Sequence, residues 1–86
     1  MSRIAGQIPQ MLSLKSNLER QSGTIDGLRT ELRNQLGNTE WDGRAADRFR
    51  AEWTEYERVL IRMSGALVDA AREVQSRAQR LSDADA

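Results

Sequence analysis

The sequence contains no cysteine and no histidine. Without cysteine there is neither a disulfide framework nor a thiolate that serves as nucleophile or metal ligand. Without histidine the chain also lacks the side chain used most often for acid–base chemistry near neutral pH, and the two absences together remove the commonest ligands of zinc, copper and non-haem iron. The composition is therefore poorly suited to enzyme chemistry, and we expect no catalytic residue, no metal and no cofactor.

Long apolar runs and an excess of charge of one sign are absent as well. No run approaches the ~20 residues of a membrane span, and residues 1–6 lack the apolar segment of a cleaved secretory signal. Thirteen basic residues balance thirteen acidic ones and are scattered along the chain. This pattern disfavours nucleic acid and membrane contact. A small-molecule substrate is not expected either. The protein is expected to stay in the cytoplasm or to be exported folded, by a route that reads something other than an N-terminal peptide.

Apolar residues that recur every seven positions predict a first helix over about 8–36. The row at sevens comprises Ile4, Met11, Leu18, Ile25 and Leu32, with Ile8, Leu14, Leu28 and Leu36 three or four residues after its members. Pro9 is expected in the first turn of this helix, where its missing N–H costs no hydrogen bond. Gly37 is expected to supply a left-handed residue just past its end.

The same seven-residue spacing predicts a second helix over about 44–81. Its two apolar rows are Ala46, Trp53, Leu60, Leu67, Val74 and Leu81, then Phe49, Tyr56, Met63 and Ala70. Charged residues occupy the positions between these rows, as on a solvated helix face. The last residues, from Ser82 to Ala86, carry no large apolar side chain and are expected to fray.

Residues 37–43 are rich in turn formers and short enough to hold the two helices antiparallel. The sequence therefore predicts an all-α fold, with residues 1–86 forming one helix-turn-helix hairpin whose helices reach roughly 45–55 Å. Two caps of the second helix are compatible with the turn. Thr39 and Asp42 have the spacing of a capping box, and Asp42 alone could cap a helix that starts at Gly43.

The apolar stripes are two or three positions wide, whereas two antiparallel helices share only one seam. Surface left exposed in a single hairpin predicts pairing with a second hairpin into a four-helix bundle. The partner is another copy or a different hairpin of the same kind. The predicted core and dimer interface comprises Met11, Leu18, Ile25, Leu32, Phe49, Trp53, Tyr56, Leu60, Met63 and Leu67.

Trp41 does not belong to either apolar stripe, because it lies in the polar turn, two residues before Gly43. One interpretation is an end-cap that covers the last apolar turn of the first helix near Leu36. The other is a recognition residue for a partner. A glycine at position 43 would permit a backbone dihedral or a close approach that a Cβ blocks.

With Trp41 and Gly43 in the middle of the chain and Ala45, Ala46 and Phe49 following them, the sequence resembles the WXG-100, or ESAT-6-like, family. The resemblance implies a small secreted protein of Gram-positive bacteria, including actinobacteria, that has no enzyme activity. It also implies that the hairpin forms a homodimer, or a heterodimer with another WXG-type hairpin, as an antiparallel four-helix bundle. It implies export without a cleaved signal peptide through the type VII (ESX-like) system, as effector or as export partner. It also implies that the membrane ATPase recognises the Trp-Xaa-Gly turn of one subunit together with a Tyr-Xaa-Xaa-Xaa-Asp/Glu tail of the other.

The sequence departs from that pattern in its tail. The single tyrosine, Tyr56, lies in the middle of the second predicted helix and is followed four residues later by Leu60. Either the chain is the tail-less half of a heterodimer, or it is a homodimer recognised through another feature, or a native tail continues beyond Ala86. A cytoplasmic helical adaptor or assembly module remains the alternative function.

Overall fold

The computed structural model describes the backbone of residues 3–85 and the side chains of residues 6–84. Two helices, α1 (Arg3–Gly37) and α2 (Arg44–Asp85), lie antiparallel, and the described residues contain no strand. The predicted all-α hairpin is confirmed. Ile4, the first residue of the predicted apolar row, has its side chain outside the described part of the chain.

Both helices are longer than the sequence indicates. α1 begins at Arg3 rather than near Ile8, and α2 continues to Asp85 rather than fraying after Leu81. Pro9 consequently lies inside α1 and not in its first turn. Its ring is exposed, and the helix forgoes the one hydrogen bond that an N–H at this position would donate to the carbonyl four residues earlier. The resulting rod measures 66 × 16 × 13 Å, longer than the predicted helices would reach.

The end of α1 is closed by residues of the loop. The N–H of Asn38 donates to the carbonyl of Asn34 at 3.0 Å, and the hydroxyl of Thr39 donates to the carbonyl of Gln35 at 2.6 Å. These bonds satisfy carbonyls that a helix C-terminus leaves unpaired. Gly37 lies inside α1 without a positive φ, so the predicted left-handed residue at this position is wrong.

The start of α2 is defined by Gly43. Its carbonyl accepts the N–H of Asp47 at 3.0 Å, the first bond of the helix, so Gly43 itself occupies the N-cap position. Neither cap considered from the sequence matches this start. The Thr39 hydroxyl donates to the carbonyl of Gln35 at the end of α1, and Asp42 lies one residue before the N-cap position. Gly43 has a φ of 109°, the only positive φ among the described residues.

The helices pack along a seam whose positions alternate in steps of three and four residues. Apolar residues occupy one row of the seam in each helix. Small or charged residues occupy the other row, except that on α1 this row ends in Leu36. The seam comprises Met11, Lys15, Leu18, Ser22, Ile25, Arg29 and Leu36 on α1, and Ala46, Arg50, Trp53, Glu57, Leu60, Ser64, Leu67, Ala71, Val74, Ala78 and Leu81 on α2.

The core of the single hairpin is thin. Its buried apolar residues are the alanines 46, 71 and 78, and no large side chain is fully buried among the described residues. The accessible surface is 6630 Å², whereas a compact monomer of this mass would expose about 5,100 Å². The excess, roughly 1,500 Å², exceeds the ~800 Å² that each partner typically buries in a stable interface.

Candidate partner interface and turn

One long side of the hairpin is apolar and lacks a covering element in the single chain. It carries two rows with seven-residue spacing that flank the seam. We define the apolar face by these rows, which are Gln7, Leu14, Gln21, Leu28 and Gln35 on α1 and Phe49, Tyr56, Met63, Ala70 and Arg77 on α2, together with Leu32. Six large apolar residues of this face are exposed, namely Leu14, Leu28, Leu32, Phe49, Tyr56 and Met63.

Aromatic rings follow one another along the turn end of the apolar face. The ring centroids of Trp41 and Phe49 lie 5.7 Å apart at an interplanar angle of 50°, and those of Phe49 and Tyr56 lie 6.5 Å apart at 66°. Tilted and edge-on arrangements at these distances are favourable for aromatic pairs. Trp41, which precedes α2, is thereby held against the first turns of that helix.

An open groove of about 340 Å³ lies beside this aromatic series. We call it the turn groove, and it is lined by Leu32, Gln35, Leu36, Thr39, Trp41, Phe49 and Trp53. Trp41 and Leu36 both line this groove, the arrangement that an end-cap requires. Trp41 nevertheless remains 40% exposed, so much of its indole stays available to a partner.

The opposite long side of the hairpin has a different composition. The row that flanks the seam on α1 reads Leu12, Glu19, Asp26 and Arg33, and the corresponding row on α2 reads Thr54, Ile61, Val68 and Gln75. A polar groove lies there, lined in part by Glu19, Asp26, Arg72 and Gln75. This side therefore carries several charged residues, whereas the rows of the apolar face carry only Arg77. The apolar face is the better candidate for a buried interface.

The ten residues predicted for the core and dimer interface divide into two groups. Half-buried in the seam are Met11, Leu18, Ile25, Trp53, Leu60 and Leu67, and exposed on the apolar face are Leu32, Phe49, Tyr56 and Met63. The first group holds the hairpin together. The second group is the part that a partner can contact, and its role in pairing stays a prediction.

A buried serine pair, not anticipated from the sequence, joins the helices at mid-length. The hydroxyl oxygens of Ser22 and Ser64 are 2.7 Å apart, and each hydroxyl also lies within bonding distance of the other residue's carbonyl oxygen, at 3.0 and 3.3 Å. A pattern built on apolar residues cannot identify buried serines. The available indication was their position, four residues after Leu18 and Leu60 respectively, which places both in the second row of the seam.

A charged cluster at the next level towards the turn was also missed. The carboxylate of Glu57 accepts hydrogen bonds from Arg33 Nε at 2.8 Å and from Arg33 Nη2, and from Arg29 Nη1 at 3.4 Å. The hydrogen bonds from Arg33 lower the pKa of the Glu57 carboxyl, with Arg29 adding to the effect against partial desolvation. Glu57 is therefore an ionised acceptor that ties α2 to α1.

Comparison with known families identifies the hairpin. The WXG100 family model, described as proteins of 100 residues with WXG, matches residues 3–86, and the Trp-Asp-Gly sequence at positions 41–43 lies in the inter-helix loop. The chain belongs to the WXG100 family. No curated protein and no solved structure matches the chain.

Membership of the WXG100 family makes the chain a small helical substrate of type VII secretion. Proteins of this family are secreted, typically pair as hairpin dimers, and are not enzymes. The apolar face and the turn are accordingly the two features of the hairpin available for pairing and for recognition. Neither described helix is long and apolar enough to cross a membrane.

Proposed function

We propose that this WXG100 protein is exported as a folded dimer of hairpins, and that the type VII membrane ATPase recognises the turn at Trp41 and Gly43. In this proposal the protein leaves the cell without a cleaved signal peptide and acts as a secreted effector or as the export partner of another hairpin. Family membership supports the route, and the geometry of the turn supports the site.

The observation that carries the proposal is the combination of fixed position and exposure at Trp41. Phe49 holds the indole through a contact of 5.7 Å between ring centroids, yet 40% of Trp41 stays accessible. A large aromatic side chain that is held in one place and half exposed has the properties of a binding hot spot. The turn also lies at the end of the rod, so a partner on the apolar face leaves part of it free.

Replacement of Trp41 with alanine tests the recognition role. We expect Trp41→Ala to lose about 1–3 kcal/mol of stability through its contact with Phe49 and the turn groove, to keep its helicity and dimerisation, and to abolish export. The amount of protein in the medium is measured in a strain with a working type VII system and in the same strain without the membrane ATPase. Ile61→Ala is the control, because Ile61 is a similarly exposed apolar residue on the opposite side of the hairpin.

Export of Trp41→Ala at the level of the wild type would make the tryptophan an end-cap only, and recognition would have to lie elsewhere on the dimer. If the wild-type protein is found only inside cells that have a working type VII system, and loss of the ATPase does not change the amount in the medium, the cytoplasmic adaptor would be favoured instead.

A further inference from the structure

We infer that the hairpin is one of two arrangements open to this chain, and that residues 38–43 are the point of exchange between them. In the second arrangement the turn becomes helical and joins α1 and α2 into one continuous helix. Two such chains trade halves, so that each α1 packs against the α2 of the other copy along the seam that otherwise closes the hairpin. This exchange concerns the inside of the hairpin and leaves the apolar face uncovered.

The seam keeps one seven-residue spacing through the turn. Ala46 follows Ile25 by 21 positions in one row, and Arg50 follows Leu36 by 14 positions in the other. Two helices joined by a loop have no need to share a common spacing, because the loop sets their orientation freely. A continuous helix, by contrast, carries both halves of the seam on one side only if the spacing is unbroken, with a slight left-handed supercoil.

The polar partners of the seam lie at equal distances in sequence from Gly43. Ser22 and Ser64 are 21 residues before and after it, and Arg29 and Glu57 are 14 residues before and after it. In an antiparallel pair of straight helices with the two-fold axis beside Gly43, the serine pair and the ion pair both re-form between chains. Any other alignment would leave the two buried hydroxyl groups without their partners.

The residues that would meet at the centre of such a pair are small. In the joined helix the two seam rows pass through Thr39 and Gly43. Position 39 of one chain comes opposite Ala46 of the other, and Gly43 lies on the axis opposite its own copy. Because glycine has no Cβ, the two backbones can approach closely at this point. The new contacts therefore introduce neither a charge nor a steric clash into the seam.

The helices already extend into the turn from both sides. The N–H of Asn38 donates to the carbonyl of Asn34 at 3.0 Å, and the N–H of Asp47 donates to the carbonyl of Gly43 at 3.0 Å. Both bonds span four residues, as in an α-helix. Straightening the chain therefore adds helical turns between two existing helix ends and breaks neither of these bonds.

Two features of the turn favour the closed hairpin. The segment contains Asn38, Thr39, Asp42 and Gly43, which are poor helix formers. Trp41 also precedes Phe49 by eight residues, about 12 Å along a helix axis, so their 5.7 Å contact exists only while the turn is closed. Trp41 thus acts as a latch, and the exchanged pair is favoured only as the concentration of chains rises.

Opening the turn also removes the turn groove, because its lining from the two helices and the loop moves apart. This consequence rests on the proposed function: if the ATPase recognises the closed turn at Trp41, the exchanged pair does not present that site. Exchange of halves is then a means of withdrawing the chain from export.

A cysteine pair in the seam distinguishes the two arrangements in the full-length chain, which has no cysteine of its own. In Ser22→Cys/Ser64→Cys the closed hairpin forms its disulfide within one chain and runs as a monomer on a denaturing gel. The exchanged pair runs as a covalent dimer. Hairpins that associate through the apolar face keep each disulfide within one chain, so the gel does not count them.

The chain is unfolded, then refolded and oxidised at concentrations from about 1 μM to 1 mM. While the dimer is the minor form, a tenfold rise in concentration should raise the ratio of covalent dimer to monomer by about tenfold. The purified dimer should reach about 125 Å in small-angle X-ray scattering, the length of 83 helical residues, against 66 Å for the hairpin. Disulfides within one chain only, at every concentration, would overturn the exchange.

Two further cysteine pairs protect this test against a substitution that disturbs the seam. Lys15 and Ala71 lie 28 residues before and after Gly43, so Lys15→Cys/Ala71→Cys should give the same proportions as the serine pair. Lys15→Cys/Ser64→Cys is out of alignment by seven residues and should give little of either product. As much covalent dimer from the misaligned pair as from the aligned ones would reject the exchange, because the disulfides would then report random collisions.

Removal of the turn tests the continuous spacing directly. Deletion of residues 37–43 joins Leu36 to Arg44 and removes seven positions, so the seam stays on one side of a straight helix. This chain should be a helical dimer, and with the serine positions changed to cysteine it should give covalent dimer only. The matched control replaces residues 37–43 with one alanine, which rotates the second half by about 100° and should lose most of the helicity. Equal helicity in the two variants, or an unfolded deletion variant, would contradict the inference.

The proposed function can be judged separately. Disulfides that always form within one chain, together with ATPase-dependent export that requires Trp41, would overturn the exchange alone. Conversely, covalent dimers that rise with concentration, in a protein whose release ignores both Trp41 and the ATPase, would support the exchange and reject the recognition of the turn.

Discussion

Replacing Gly43 with alanine changes only the backbone preference of the turn. Gly43 has a φ of 109°, which L residues rarely adopt, and a Cβ built at this position meets no heavy atom within 4 Å. Steric crowding with neighbouring residues therefore contributes nothing, and the whole cost is conformational. Residues held in such sparsely populated regions cost about 1–3 kcal/mol each, so Gly43→Ala should lower the free energy of unfolding by that amount.

A matched control comes from Gly23, which lies inside α1 and is exposed. A Cβ at this position also meets no heavy atom within 4 Å, but the backbone is helical. Gly23→Ala should therefore raise the free energy of unfolding by about 0.5–1 kcal/mol, because alanine loses less backbone entropy than glycine on entering a helix. The two alanine variants should differ by roughly 1.5–4 kcal/mol, with opposite signs relative to the wild type.

Urea unfolding followed by circular dichroism measures both changes. All samples need the same protein concentration, because pairing makes the apparent stability depend on concentration. Gly43→Val should lose more than Gly43→Ala, since a β-branched side chain restricts the backbone further. A Gly43→Ala protein as stable as the wild type, or equal shifts for the two alanines, would refute the assignment of a strained N-cap at position 43.

Two other substitutions test the seam. Leu60→Asp and Trp53→Asp should each cost several kcal/mol of stability and abolish both helicity and dimerisation, because both side chains lie between the helices. Arg62 is exposed, so Arg62→Ala should stay within about ±0.5 kcal/mol of the wild type in thermal unfolding. Since the folded-state pKa of Glu57 is lowered, its contribution to stability is present above the unfolded value of about 4.3 and is lost as the pH falls through the folded value. Glu57→Gln should therefore flatten the acid limb of a stability–pH curve, and an unchanged limb would contradict the role of the Arg29 and Arg33 contacts.

Seven-residue periodicity predicted the two helices and the hairpin, because each apolar row marks one helix face regardless of tertiary detail. It could not divide the rows between the seam and the exposed face. Trp53 and Leu60 belong to one row, and Phe49 and Tyr56 to the next, and both are equally apolar. Only the alignment of the two helices decides which row turns towards the other helix and which remains free for a partner.

The polar residues of the seam could not be predicted from the spacing of apolar residues. Ser22 and Ser64 satisfy each other's hydroxyl groups, and Glu57 is held by two arginines, so each is tolerated only because its partner lies opposite on the other helix. Which residue lies opposite another across the two helices depends on the tertiary structure. Pro9 illustrates the same limit at a helix boundary, since the sequence placed it in the first turn and the structure places it within α1.

Light scattering on the isolated wild-type chain at micromolar concentration tests the central claim, that this hairpin is completed by a second one on its apolar face. The account predicts a helical particle of about twice the 9.7 kDa chain mass. A stable, well-folded monomer with no hairpin bound would contradict it, because the exposed leucines and aromatic residues of the apolar face would then need no partner at all.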